Sequence, residues 1–568
     1  MARSDPAAPL RVRWLGRVPY REALAVQTAL FEHGREQHLL LLEHTHVFTY
    51  GPRSDLATNL RCDPAAVGAD LVAVKRGGDI TYHGPGQLVG YPILSVGNTL
   101  GAADHVHGVE QLLIDALAEI GLPGAGCLTE YPGVWVDAEG PSPRKIAAIG
   151  VRLAHGRTMH GFALNVATDL TYMRQHIVPC GIGDRPVTSL AEEGIDVTLE
   201  RVADVVARLA AERWAGGAGE RQDVAWKYRT DDLSPFSQGR GPGDPVRRGP
   251  GNPVRHGPGE PVRLTSRLAA AGVVDGLSIE SRKPEWLRPM VKHGPEVLSL
   301  RRTLRLLDLV TVCEDAGCPN MSECWADGTA TFMVLGDRCT RACGFCLVDT
   351  RKPLAPDADE PSRVAEAIER MGLDHAVLTM VARDDLDDGG MAHVAACVEA
   401  IRLRRPSTRV ETLISDVKGD ADALGVLFAV RPDVLNHNIE SVARLQRAVR
   451  PSAGYARSLS VLARAKAAGL VTKSSLIVGM GETDTEVIGC LADLAGIGVD
   501  IVTIGQYLRP TSHHLPVARW VEPAEFVRWK AIGEQFGIGH VEASPLTRSS
   551  YHAKAAAART TPVHVGVG

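Results

Sequence analysis

The chain has no apolar run approaching the roughly 18 residues that a membrane-spanning helix requires. Its first ten residues, MARSDPAAPL, carry no hydrophobic signal-peptide core. Neither membrane insertion nor export is expected, so the predicted location is the cytoplasm. An excess of one charge is also lacking. Lys and Arg number 62 against 67 Asp and Glu, a net of −5 over 568 residues, which predicts neither a nucleic-acid footprint nor a membrane-surface patch. Disulfides are disfavoured in the cytoplasm, so clustered cysteines are read first as metal ligands or catalytic thiols.

What is present is length, and length implies division. A single core usually stops growing at roughly 250 to 300 residues, so at least two domains are expected. Residues 240–263 read RGPGDPVR, RGPGNPVR, HGPGEPVR, an eight-residue unit repeated three times. A unit with Gly-Pro-Gly and a second proline has too little apolar surface to offset ordering, and too few donors for a ladder or helix. It predicts a disordered linker over 231–270, between a front domain at 1–230 and a back domain at 271–568. In the front domain, short apolar runs predict strands over 38–42, 71–74 and 133–136, and helical patterns cover 106–120 and 199–211. In the back domain, strands over 331–335, 375–380, 409–414, 434–438, 473–478 and 501–506 alternate with helices such as 363–371 and 523–536. Repeated strand–helix units predict a parallel sheet, closed or partly closed into a barrel, with its active site at the C-terminal strand ends.

Six of the eleven cysteines fall within 34 residues, as Cys313-x4-Cys318-x5-Cys324 and Cys339-x3-Cys343-x2-Cys346. Each triplet would leave one iron of a four-iron cluster without a cysteine ligand, and an open iron can bind a small molecule. A zinc site is the alternative, but structural zinc usually takes four ligands in CxxC pairs, and both triplets are odd with no adjacent histidine. Residues 338–348, RCTRACGFCLV, resemble the radical S-adenosylmethionine superfamily. Residues 311–325 (TVCEDAGCPNMSECW), 328–346, 383–390 (RDDLDDGG), 435–440 (LNHNIE), 505–510 (GQYLRP) and 548–553 (RSSYHA) resemble lipoyl synthases, a likeness spanning about 283–553. It implies two 4Fe-4S clusters. Cys339, Cys343 and Cys346 would hold the one that binds S-adenosylmethionine. Cys313, Cys318, Cys324 and Ser550 would hold an auxiliary cluster that serves as the sulfur store. The implied reaction inserts sulfur at C6 and C8 of an octanoyl chain, using a 5′-deoxyadenosyl radical and an electron donor such as ferredoxin or flavodoxin. No amino-acid side chain supplies a hydrogen-atom acceptor of that strength. Cys397 and Cys490 sit in helical apolar patterns and are expected in the core. His437 is left between two readings, lining the pocket or making a structural hydrogen bond.

In the front domain one cysteine has a suggestive setting. Cys180, in IVPCG, lies between proline and glycine, where backbone amides could cradle an oxyanion. Around it stand a Gly-rich loop at 76–87 (RGGDITYHGPGQ), which lacks GxxxxGK[ST] and GxGxxG spacing, and the stretches 144–150 (RKIAAIG) and 160–165 (HGFALN). With 43–51 (EHTHVFTYG), these resemble octanoyltransferases of the lipoate pathway over about 10–227. The resemblance implies that Cys180 is acylated and that Lys145 lowers its pKa. It also implies substrate contacts from Arg76, Gly77, Gly78, Asp79, Ile80, Thr81, Tyr82, His83, Ala148, Ile149, Gly150, Gly161, Phe162 and Ala163. His83, His160 and Arg76 are expected to shape the acyl pocket rather than act as sole base, and Cys62 and Cys127 to be structural. The implied partners are octanoyl-acyl carrier protein and lipoyl carrier domains, namely 2-oxoacid dehydrogenase E2 subunits and the glycine cleavage H protein. The fold expected is a biotin/lipoate protein ligase-like mixed α/β domain followed by a radical SAM partial (β/α) TIM-type barrel. Two rival readings remain: an ATP-dependent lipoate or biotin ligase in front, or a non-catalytic iron–sulfur scaffold.

Overall fold

The computed structural model describes residues 9–97, 101–183, 185–226, 267–273, 276–288, 302, 304, 306, 307, 309, 311, 320–326 and 328–559. The chain divides into two compact units, Met1–Trp226 and Lys227–Gly568. Residues 231–266 of the expected linker lie outside the described residues, as do Cys313 and Cys318. Residues 267–270, its last four, are helical and bury Leu268. Among the described residues no helix is long and apolar enough to cross a membrane.

The front unit contains the strands β1 (Leu10–Val18), β2 (His38–His44), β3 (Val47–Tyr50), β4 (Asp70–Ala73), β5 (Thr81–His83), β6 (Gln87–Ile93), β7 (Ala125–Leu128), β8 (Tyr131–Val136), β9 (Arg144–Ala154), β10 (Arg157–Asn165) and β11 (Gly219–Asp223). Eight form one mixed sheet in the order β11-β1-β2-β6-β10-β9-β8-β7, and β4-β3-β5 form a small second sheet. Strand β2 reads HLLLLEH without alternation because it lies between β1 and β6 with Leu39 to Leu42 all buried. Helices Ala102–Ile120 and Leu199–Ala215 pack together over the sheet. The second starts where Thr198 Oγ1 accepts the Arg201 amide and stops at Gly216, whose φ is 57°. Its Val202, Val205, Val206 and Ala210 share one buried face, and full burial of each valine contributes roughly 1.5–3 kcal/mol.

In the back unit, β12 (Thr329–Val334), β13 (His375–Met380), β14 (Arg409–Leu413), β15 (Val434–Asn436), β16 (Thr472–Val478), β17 (Ile501–Gln506) and β18 (His540–Ala543) run parallel in sequential order. Helices such as Glu360–Met371 and Met391–Arg404 make the crossovers. Strands β12 and β18 are the two ends of the sheet, so the barrel is partial. Six of the seven strands follow apolar runs; β18 is a four-residue HVEA with no such signal. Within the sheet lies a buried polar group. Lys473 Nζ reaches both Glu411 oxygens at 3.0 and 3.1 Å, and Asn436 Nδ2 donates to Glu411 Oε1 at 2.8 Å. Burial alone would raise the Glu411 carboxyl, but Lys473, His375 and Asn436 together hold it down at about 2.

Candidate functional site

In the front unit a small cavity of about 40 Å³ opens among β5, β6, β9, β10 and the loop that precedes β5. Arg76, Gly77, Gly78, Thr81, His83, Ala148, Ile149, Gly150, Gly161, Phe162, Ala163 and Cys180 all line it. Strand β9 can do so because β8 pairs with it only as far as Ala147, leaving the rest of that edge open to the Gly-rich loop. Tyr20, Tyr91 and His160 complete the lining. The two tyrosines carried no motif signal; Tyr91 sits in the uniformly buried run of β6.

Lys145 Nζ lies 3.6 Å from Cys180 Sγ. The pairing depends on a bulge. Strand β8 shifts register against β9 between Val134 and Trp135, and Gly133 there has φ 124°. A Cβ at Gly133 would stand 2.7 Å from Lys145 Cε and 2.5 Å from Ala147 O, so only glycine admits the lysine. On its other flank Lys145 Nζ lies 5.3 Å from the centre of the Trp135 ring. Cys180 itself adopts φ 56°, a left-handed conformation costing a β-carbon residue roughly 1–3 kcal/mol. The turn is held from outside the cavity: the Cys180 amide donates to Ile80 O at 2.8 Å, and Val178 N donates to Asn59 O.

Those bonds correct one expectation. The Pro-Cys-Gly amides do not form an open cradle, because Cys180 N is bonded to Ile80 O and Gly181 N to Val178 O. Three further residues expected at the substrate do not line the cavity. Asp79 accepts from Asn59 Nδ2 and from the Ile80 amide, and Ile80 is wholly buried. Tyr82 faces the opposite side of β5, stacked on Tyr172 with its hydroxyl 2.7 Å from His46 Nδ1. These three brace the Cys180 turn and the small sheet. The guanidinium of Arg76 is spent on its own loop and on β3, donating to the carbonyls of Gly77 and Asp79 and to the carbonyl and hydroxyl of Thr49. The Gly78 amide has no partner among the described residues and lies on the cavity wall at φ 89°. Burial pushes His160 down to about 3 and His83 well below its ordinary range, so both are neutral near pH 7.

In the back unit a cavity of about 410 Å³ opens at the C-terminal ends of the strands. Cys339, Cys343, Cys346 and Ser550 line it together. The cysteine loop is anchored through Arg341, which makes a two-pronged bond to Asp384 at 2.7 and 2.8 Å and an ion pair with Asp416 at 2.7 Å. Cys339 Sγ accepts the amides of Arg341 and Ala382, and His514 Nε2 bonds Cys346 O at 2.9 Å. Burial pushes the Cys343 thiol up to about 11 and the Cys346 thiol up to about 12. Such thiols remain protonated unless a cation offsets the desolvation, which bound iron does. Among the described residues, one set of three ligand atoms lies within 4.8 Å of each other, and it is not this one.

Cys324, on the helix Met321–Ala326, is half-buried. The segment carrying Ser550 meets that helix: the Tyr551 hydroxyl lies 3.3 Å from both Glu323 oxygens, and Asn320 Nδ2 donates to Leu546 O at 2.7 Å. His437 does not line the cavity. Its ring nitrogens meet Ile414 O and Ser458 Oγ, a structural role, whereas Asn438 and Glu440 face the cavity from the other side of the chain. Strand alternation through LNHNIE was the signal that separates them. Cys397 and Cys490 are wholly buried in the core.

The family described as "Lipoyl protein ligase A/B catalytic domain" matches residues 19–210, and "Radical SAM superfamily" matches 333–494. A lipoyl synthase from Rubrobacter xylanophilus is 53% identical over 273 residues, covering 48% of this chain and 85% of the relative. One from Mycobacterium avium is 53% identical over 272 residues, covering 48% and 89%. A solved bi-partite lipoate protein ligase from Thermoplasma acidophilum aligns with 39% of this chain and 88% of its own at 18% identity, with a TM-score of 0.34.

Proposed function

Through its back half the chain belongs to the lipoyl synthase family, and we propose that it carries out two consecutive steps of lipoate assembly, octanoyl transfer and then sulfur insertion. It is an enzyme of lipoate biosynthesis that uses S-adenosylmethionine and iron–sulfur chemistry. The observation that carries the front half of the proposal is the 3.6 Å approach of Lys145 Nζ to Cys180 Sγ in a cavity walled by the Gly-rich loop.

In the proposed transfer the Cys180 thiolate attacks the thioester carbonyl of octanoyl-acyl carrier protein. A C–S bond forms, the carrier thiolate leaves and takes up a proton, and an octanoyl-Cys180 thioester remains. The lysine amine of a lipoyl carrier domain then attacks that thioester, giving the amide and returning the thiol. Lys145 sits beside the reacting sulfur, and the amide of Gly78, a residue of the cavity lining, is the proposed oxyanion donor. Neutral His83 and His160 shape the acyl slot.

In the back half, Cys339, Cys343 and Cys346 would hold the cluster that binds S-adenosylmethionine, and Cys313, Cys318, Cys324 and Ser550 the second. When bound, the first would pass one electron from a reductant to S-adenosylmethionine, which splits into methionine and the 5′-deoxyadenosyl radical, and the second would supply the sulfur inserted at C6 and C8. The chain's own contribution is positional: Arg341 fixes the cysteine loop, while Asn438, Glu440, Arg450 and Ser475 provide polar contacts in a cavity otherwise lined by groups such as Val348, Met380 and Ile477. The test of the front assignment is Cys180→Ala. It should lower octanoyl transfer at least ~10³-fold, as nucleophile removal does, while sulfur insertion on a pre-octanoylated carrier persists. Normal transfer by that variant would remove Cys180 from the mechanism.

A further inference from the structure

A second group of metal-binding side chains lies in the front unit, outside the cavity lined by Cys180. His107 and Glu110, three residues apart on helix Ala102–Ile120, share a face with each other and meet Cys127 of strand β7. The ligand atoms of all three lie within 4.8 Å of one another, and no other such trio occurs among the described residues. We propose that His107, Glu110 and Cys127 bind one zinc-class divalent cation, with the fourth position open to solvent. The proposal does not rest on the acyl-transfer reading.

The donor set decides the class of ion. A thiolate and an imidazole beside a single carboxylate match zinc and disfavour magnesium or calcium, which take oxygen ligands and more of them. The geometry permits closure. Tetrahedral zinc holds N, O and S ligands roughly 3.3–3.7 Å apart, and His107 Nδ1 already lies 3.7 Å from Glu110 Oε2. Glu110 is the fixed member, 7% exposed, with Oε1 accepting the Gly133 amide at 2.9 Å and Oε2 left toward the other two. His107 and Cys127 are exposed, so modest side-chain rotations bring them onto the ion without moving the core. Cys127, expected to be structural, is instead an exposed thiol beside a preoriented carboxylate. Glu110 also holds the Gly133 bulge that backs Lys145, so an ion here would brace the same bulge.

The test uses the full chain with its iron loaded, dialysed anaerobically against zinc, followed by elemental analysis and zinc K-edge spectroscopy. The wild-type chain should retain one more zinc per chain than either His107→Gln or Cys127→Ala, and its spectrum should show one sulfur among nitrogen and oxygen neighbours. Both substitutions fall on exposed side chains, and unchanged far-ultraviolet circular dichroism checks that the fold is kept. Equal zinc in all three proteins would overturn the proposal. So would a wild-type spectrum with no sulfur, or with two or more, which would place the ion at the cluster cysteines; that spectrum decides even if a variant misfolds.

Discussion

In the proposed function the two sites use sulfur in opposite ways. In the front unit one cysteine on a left-handed turn faces Lys145 Nζ at 3.6 Å, and the cavity is a slot of about 40 Å³. In the back unit three cysteines share a cavity of about 410 Å³, and burial drives two of them up to about 11 and about 12. A thiolate balanced by an ammonium stays free to attack carbon, whereas thiols that need metal cations to ionise become ligands. The nearest cation therefore tells the two chemistries apart more reliably than the cysteine itself does.

The largest effect that would sharpen this contrast lies in the back unit. Cys343→Ala should abolish S-adenosylmethionine cleavage, while Cys318→Ala should leave 5′-deoxyadenosine production running without forming the dithiolane. If Cys318→Ala stops cleavage as completely, the two cysteine triplets do not have separable roles. Next comes Lys473→Met, which leaves Glu411 buried without its cation and should cost the back unit about 3–5 kcal/mol. Thermal unfolding should show that unit melting earlier while octanoyl transfer is unchanged; an equal loss in both activities would contradict their independence.

Acidification should separate the units from the other side. Burial lowers His38 to about 3, His44 to about 4 and His160 to about 3 in the front unit, against His437 to about 4 in the back unit. A histidine lowered on folding binds its proton more readily in the unfolded chain, so its contribution is present above pH ~6.5 and is lost as pH falls toward its folded value. Each can cost its unit up to about 2 kcal/mol by pH 5. The ion-paired carboxylates Glu411 and Asp416 of the back unit, held at about 2, keep their contribution above pH ~4. Calorimetry between pH 7 and 5 should show the front transition falling further, and matched shifts would refute the difference. Smaller still, Lys145→Ala, which removes the amine 3.6 Å from Cys180 Sγ, should slow transfer about 10²-fold, read as the initial rate of carrier acylation; an unchanged rate would remove Lys145 from the transfer.

Much of this was legible in the sequence because the signals are local. Cys339-x3-Cys343-x2-Cys346 follows β12 directly, and the apolar runs mark six of the seven back strands. Arg76, Gly77, Gly78, Thr81 and His83 of the Gly-rich loop meet the 148–150 and 161–163 stretches at Cys180, whereas Asp79, Ile80 and Tyr82 do not. What was not legible depends on where chain segments cross. Nothing in PCG reveals that Ile80 O and Val178 O occupy its amides. Tyr20 from the start of helix Tyr20–His33, Tyr91 through sheet pairing and Gly133 through a bulge all join the site, and the Asp384 and Asp416 grip on Arg341 spans three strand ends. His437 was open to two readings, lining the pocket or making a structural hydrogen bond, and its bonds to Ile414 O and Ser458 Oγ turn it away from the cavity that Asn438 and Glu440 line.

The most direct measurement is an anaerobic time course with the intact chain, octanoyl-acyl carrier protein, an apo lipoyl carrier domain, S-adenosylmethionine and a reductant, following carrier mass without ATP. The account predicts that octanoyl-carrier appears first and is then converted to a species that has lost two hydrogens and gained two sulfurs. A carrier acylated only when ATP and free octanoate are supplied, or an octanoyl-carrier that never gains sulfur, would contradict it.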